Sequence, residues 1–139
     1  MREEFKRAES WLEENLFVQE LLKRSHLKER TFKALLLRSW AEDATFEEVA
    51  ERLGINQAGA WKCWQRGKES IIRAYLTLKL AIHAGLLDAE AVDLLIRDLM
   101  DYSMILSGEG DREEILYRIE RRTIDLIQKL QKGVRASLE

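Results

Sequence analysis

The chain has 139 residues, 46% apolar and 35% charged, with a single cysteine and no proline. That is one domain's length with enough apolar residues for a core, and it excludes a disordered, collagenous or disulfide-framed protein. A net charge of −2 excludes a protein that binds nucleic acid by being basic overall, so a basic surface must come from how the charges are distributed.

Long runs of good helix formers without proline predict an all-α fold. Residues 2–23 read as one amphipathic helix, with Phe5, Trp11, Leu12, Leu16, Phe17, Val18, Leu21 and Leu22 on a wide apolar face that needs the core or a second subunit. A second helix begins at Ser25 or His26 and runs to about Ala41 through Leu27, Phe32, Leu35, Leu36 and Trp40. His26 has no second His, Cys or acid pair to complete a metal site, so a surface position is expected. Glu42, Asp43 and Ala44 form a short polar connection.

Residues 45–72 organise the rest. Thr45 followed by Glu48 is a capping box, and Phe46, Val49, Ala50 and Leu53 then recur at helical spacing. Gly54 stands where that helix stops, Ile55 anchors the turn, and Asn56 caps the next helix. Ala60, Cys63, Gly67 and Ile71 are expected to face inward, with Ala50 and Ala60 small enough for a close crossing. This is the layout of a helix-turn-helix, whose second helix enters the major groove of DNA. An αα-hairpin that touches no nucleic acid shares the same spacing.

Residues 68–84 continue that helix or begin another, with His83 beside its C-terminus in a surface or capping role. Gly85 stops it and Asp88 caps a helix over residues 89–106, with Val92, Leu95, Ile96, Leu99, Met100 and Ile105 on its apolar face and Tyr102 and Met104 as further core fillers. Residues 107–110 are the clearest loop. Asp111 and Glu114 form a second capping box, opening a helix from Arg112 to about Lys132 with Ile115, Leu116, Ile119, Ile124, Leu126, Ile127 and Leu130 as its stripe; the last residues are expected to fray.

Charge is unevenly spread. Lys23, Arg24, Lys28, Arg30, Lys33 and Arg38 face only Glu29, and Lys62, Arg66, Lys68, Arg73 and Lys79 face only Glu69, whereas acids gather at the N-terminus and from Asp88 to Asp125. A basic centre between acidic arms suits a nucleic-acid contact there, although such charges also simply solvate helix faces.

Residues 27–71 resemble the DNA-binding fourth region of bacterial sigma factors, and are at least as similar to the archaeal Tfx-type DNA-binding proteins. Leu27, Glu29, Arg30, Leu36, Leu37, Arg38, Thr45, Glu47, Glu48, Val49, Ala50, Leu53 and Gly54 carry the resemblance, over about a third of the chain. It implies a tri-helical helix-turn-helix core with N- and C-terminal helical extensions. It also implies that Gln57, Ala58, Gly59, Trp61, Lys62, Gln65 and Arg66 face DNA. By their chemistry, Gln57 can bond adenine N6 and N7, and Lys62 or Arg66 guanine O6 and N7 or a phosphate. Lys68 and Arg73 suit phosphates, and Arg30 and Lys33 the flanking backbone. The recognition helix departs from the family pattern at Ala60, where a β-branched residue is usual, and at Trp61 and Trp64, where small or polar residues are usual. Three apart, the two indoles share one side. They can meet thymine methyls or sugars, lie under the C-terminal region, or form a protein-docking patch.

No Gly-rich phosphate loop, Ser/His/Asp arrangement or ligand-spaced His or Cys pair is present, so neither an enzyme nor a cofactor is expected. Cys63 reads as a small apolar residue in a reducing compartment, and every apolar run is short and broken by charge, which points to the cytoplasm rather than a membrane. Three segments are expected: an N-terminal packing or dimerisation helix (1–25), a DNA-binding core (26–84) and a C-terminal helical region (85–139) that completes a bundle or pairs as a homodimer. The function expected is a DNA-binding transcriptional regulator with double-stranded DNA as partner. A protein-interaction adaptor of the transcription machinery, docking through Trp61 and Trp64, is the alternative.

Overall fold

The computed structural model describes residues 2–138, and the side chains of residues 2–132. Among the described residues the protein is all-α: α1 (Glu3–Glu14), α2 (Leu16–Arg24), α3 (Glu29–Trp40), α4 (Phe46–Leu53), α5 (Gln57–His83), α6 (Ala89–Ser107) and α7 (Arg112–Leu138). None of these helices is long and apolar enough to cross a membrane. The chain forms two compact units, Met1–Tyr75 and Leu76–Glu139, and α5 runs unbroken through the boundary.

The first unit is built on one core. Phe5, Ala8 and Leu12 of α1 bury against Ala34, Leu36 and Leu37 of α3, with Ala41, Ala44, Val49, Ala50 and Ala60 closing the cluster. Of the two uses expected for the N-terminal segment, packing and dimerisation, α1 shows packing, with Phe5, Ala8 and Leu12 in the shared core. Trp11 and Trp40 extend the α1–α3 contact, their rings 5.9 Å apart.

Where one helix over residues 2–23 is expected, two form. Asn15 leaves the helical region (φ −112°, ψ 91°), and its side chain accepts from the Val18 N–H at 3.2 Å, so it caps α2 instead of continuing α1. The Gln19 amide then donates to the Leu12 and Glu13 carbonyls at 2.7 and 2.9 Å, closing the end of α1. The reorientation leaves Leu16 and Leu21 exposed and Phe17, Val18 and Leu22 half-buried, so the apolar face is only partly used.

The α4 turn follows the local signals. Thr45 Oγ1 accepts from the Glu48 N–H at 3.1 Å while Glu48 Oε1 accepts from the Thr45 N–H at 3.1 Å. Gly54 sits at φ +68° in the left-handed region, and the Ile55 N–H reaches the Ala50 carbonyl at 3.0 Å. Asn56 Oδ1 accepts from the Gly59 N–H at 2.7 Å and opens α5.

Two long-range clamps hold this turn. The Arg2 guanidinium bonds Glu48 at 3.0 Å and also Asp43, and Arg52 of α4 pairs with Glu9 of α1 at 2.7 Å. Arg2 holds the Asp43 carboxyl below its usual range. Glu48 is lowered first by the Thr45 N–H and then by Arg2.

In the second unit α6 and α7 form an antiparallel hairpin. Asp88 Oδ1 caps α6 through the Ala91 N–H at 2.8 Å. Gly108 and Gly110 turn the chain at φ +75° and +74°. Asp111 caps α7, accepting from the Glu113 and Glu114 N–H groups at 3.1 and 3.4 Å. Ala91, Ile115 and Ile119 are buried between the helices, together with an ion network. Arg122 bonds Asp98 at 3.1 Å and Asp101 at 2.8 Å, and Arg118 bonds Asp101 at 2.9 Å. Burial pushes the Asp98 carboxyl up, whereas the hydrogen bond from Arg118 holds Asp101 down.

Several positions expected to be apolar core are exposed: Ile71 in α5, Ile96, Leu99 and Met100 in α6, and Ile124 in α7. The α6–α7 interface buries one stripe per helix, and Ile96, Leu99, Met100 and Ile124 lie off it. The expected fraying falls on residues 133–139, whose side chains lie outside the described residues.

Candidate nucleic-acid interface

The candidate face is set by how α5 is pinned on its other side. Ala60 and Gly67 are buried, seven residues and so about two turns apart. At Gly67 the helix comes so close to α3 that an added Cβ would lie 2.5 Å from Leu35 Cδ1. With those residues inward, helical spacing turns Ala58, Trp61, Lys62, Gln65, Arg66 and Arg73 onto the opposite half of the cylinder, with Lys68 at its border and Gln57, in the first turn, on the flank toward α4. Gln57, Ala58, Trp61, Lys62, Arg66 and Arg73 are exposed there, and Gln65 and Lys68 are half-buried. Gly59 lies at the edge of this arc, half-buried against Asn56 and Ile55.

The two indoles do not share an environment. Trp64 is half-buried on Phe46 of α4, ring centroids 5.2 Å apart, with the Arg38 guanidinium 5.4 Å from its ring and Lys68 Nζ 3.6 Å from it. Arg38 also lies 4.4 Å over the Phe46 ring and donates to the Ala44 carbonyl, so one side chain of α3 ties together the α3–α4 connection, α4 and α5. Trp61 is 47% exposed and forms the wall of a shallow hollow with Phe46, Asn56, Gln57 and Ala58. The cover over Trp64 therefore comes from α3 and α4.

The cations also divide. Lys62 and Arg66 make no hydrogen bond or ion pair among the described residues, and neither does Arg30. Lys68 is engaged with Trp64, and Arg73 pairs with Glu69 at 3.1 Å. Lys33 bonds Glu29 at 3.1 Å and lines a separate groove with Glu9, Glu13, Gln19 and Lys23. By helical phase it points almost opposite to Leu35, the residue that meets α5. Ala58, Trp61, Lys62, Gln65 and Arg66 share one face of α5, Gln57 flanks it through the hollow it lines with Trp61, and Lys33 stands apart from it.

Arg38 and Phe46 were not among the expected site residues, although they fix the angle at which Trp64 and the first turns of α5 are presented. The sequence signals for Arg38 are its place in the motif of α3 and in the basic run from Lys23. Among the described residues no group of three His, Cys, Asp or Glu side chains is arranged to hold a metal ion. No family model matches the chain, and no curated protein or solved structure proved significantly similar to it.

Proposed function

We propose that α3, α4 and α5 act as a tri-helical helix-turn-helix and that the protein is a DNA-binding transcriptional regulator, with the first turns of α5 as recognition helix. The observation that carries this reading is the pairing of a buried Ala60/Gly67 side with an opposite arc bearing Lys62, Gln65 and Arg66 and flanked by exposed Gln57, on which Lys62 and Arg66 have no ion-pair partner among the described residues. Cations held ready without a counter-charge release phosphate counterions on binding, which draws the helix to duplex DNA at low salt. Gln57 and Gln65 are then the amide side chains able to read adenine edges in the major groove. Trp61 offers an apolar surface for thymine methyls or sugars. Arg73 follows along the same arc and Lys68 at its border, and both suit phosphates once released from their own partners.

The test is fluorescence anisotropy of labelled random-sequence duplex across a salt series. Lys62→Ala/Arg66→Ala should lower the slope of log K against log salt by about two if both contact phosphate. Absence of binding even at low salt would remove the reading. A docking surface for a protein of the transcription machinery is the competing reading, favoured by the exposed indole of Trp61 beside Phe46. Under it, Trp61→Ala abolishes capture of that protein while Lys62→Ala/Arg66→Ala leaves capture intact.

A further inference from the structure

α6 carries two stripes. One, through Ala91, Asp98, Asp101 and Ile105, belongs to the interface with α7. The other, Val92, Ile96, Leu99, Ser103 and Leu106, advances by alternating steps of four and three residues, the spacing of a helix–helix seam. It is left open: Ile96 is 50% exposed, Leu99 68% and Leu106 87%, with Met100 beside them at 64%. The outer face of α7 differs, since Tyr117 and Ile124 stand there among Glu113, Glu120, Arg121 and Gln128.

We propose that this second seam of α6 is where two copies of the chain pair. At roughly 150–200 Å² for a fully exposed large side chain, the four apolar residues leave on the order of 500 Å² of contiguous surface per copy. Doubled across a twofold axis that is about 1,000 Å², and half-buried Val92, together with Tyr102 and the polar rim, brings it toward the size of a stable interface, about 1,200 Å². The seam also fits itself. Val92 and Leu106 stand equally far from Leu99. An antiparallel pair centred on Leu99 therefore sets Val92 against Leu106 of the partner subunit and brings the two Leu99 side chains together on the axis. One edge is lined by Asp93 and Arg97, which neutralise each other at 3.0 Å and so present no charge to repel a second copy. Two α6–α7 hairpins joined in this way form a four-helix bundle, giving each hairpin the second layer it lacks alone. The pairing concerns the second unit and holds or fails independently of DNA binding by α5.

The test is sedimentation equilibrium of the full chain from low micromolar to hundreds of micromolar concentration. A reversible dimer is expected, and Leu99→Glu should weaken it by more than about 30-fold, as for a central interface residue. Helical content by circular dichroism should be unchanged, because Leu99 is exposed in the single chain. As a check that does not depend on a charged variant folding, Leu99→Cys in a Cys63→Ser background should form a disulfide-linked dimer on mild oxidation, while Tyr117→Cys should not. A monomer throughout the range, or a dimer indifferent to Leu99→Glu and without cross-linking at Leu99→Cys, would overturn the proposal.

Discussion

The isobutyl group of Leu35 occupies the space that a side chain on Gly67 would need, its Cδ1 2.5 Å from the place of an added Cβ and its Cγ 2.7 Å. Alanine is the better helix former by about 1 kcal/mol. Overpacking of this kind costs about 1–3 kcal/mol, so Gly67→Ala should destabilise the first unit on balance. Urea unfolding of Gly67→Ala, Leu35→Ala and the double variant checks this. The double variant should lose less than the sum of the two single losses. A stabilising Gly67→Ala would mean that α5 does not approach α3 so closely.

The two tryptophans of α5 should respond oppositely. Trp61→Ala is a surface change and should alter stability by no more than about 0.5 kcal/mol. Trp64→Ala removes the partner of Phe46, Arg38 and Lys68 and should cost about 2 kcal/mol, below the full-core range because the ring is half-buried. Acrylamide quenching gives a second reading. With Trp11 and Trp40 replaced by phenylalanine, the residual emission should be readily quenched in Trp64→Phe and protected in Trp61→Phe.

Acid should loosen the α3–α4 connection. Asp43 and Glu48 titrate below their ordinary values of 3.8 and 4.5 in the fold. Their ionised forms therefore stabilise it fully above those values, and the contribution is lost as pH falls through the lowered ones. In Arg2→Met the Asp43 carboxyl should move back toward 3.8. Glu48 should move less, because its bond from the Thr45 N–H remains. Carbon-detected NMR titration of the two carboxyls reads both. Equal behaviour in wild type and variant would refute the clamp.

The two aspartates of the α6–α7 hairpin should separate in the same sense as their titrations. Asp98 is raised by burial, so its ionised form opposes folding at neutral pH, and Asp98→Asn should be neutral or mildly stabilising there. Asp101 is lowered, and Asp101→Asn should destabilise. Arg122→Met strands Asp98, while Asp101 keeps Arg118, and should cost about 3 kcal/mol, the penalty of breaking a buried pair from one side. Thermal unfolding of the three variants at pH 7 orders them.

Much of the fold was legible because helix ends are local. Thr45 with Glu48, Gly54, Asn56 and Asp88 each act on backbone within four residues, and each does in the fold what its spacing predicts. Asn15 was equally local but was hidden inside a run of apolar residues whose period continued past it. The positions of Ala58, Trp61, Lys62, Gln65 and Arg66 around α5 follow from helical phase once Ala60 and Gly67 face inward, and the phase of α3 turns Lys33 away from Leu35. Arg38 on Phe46 and Trp64, Arg2 on Asp43 and Glu48, and Arg122 on Asp98 and Asp101 join residues far apart in sequence, and no periodicity signals such pairs. The open seam of α6 was misread as core because an apolar stripe records what a helix can bury, not what it has met.

The turn at Gly108 and Gly110 has a consequence for how the molecule yields to a protease. Both glycines are exposed, held at positive φ and set between helices whose amides are already engaged, so the first cut in the second unit should fall there. α7 would then be a separate peptide, held to α6 on the other fragment by the buried contact of Ala91 with Ile115 and Ile119 and by the pairs of Arg122 and Arg118 with the aspartates. A nicked chain that still migrates whole in native buffer but divides in high salt and mild acid would reveal how much of that hairpin is fastened by charge.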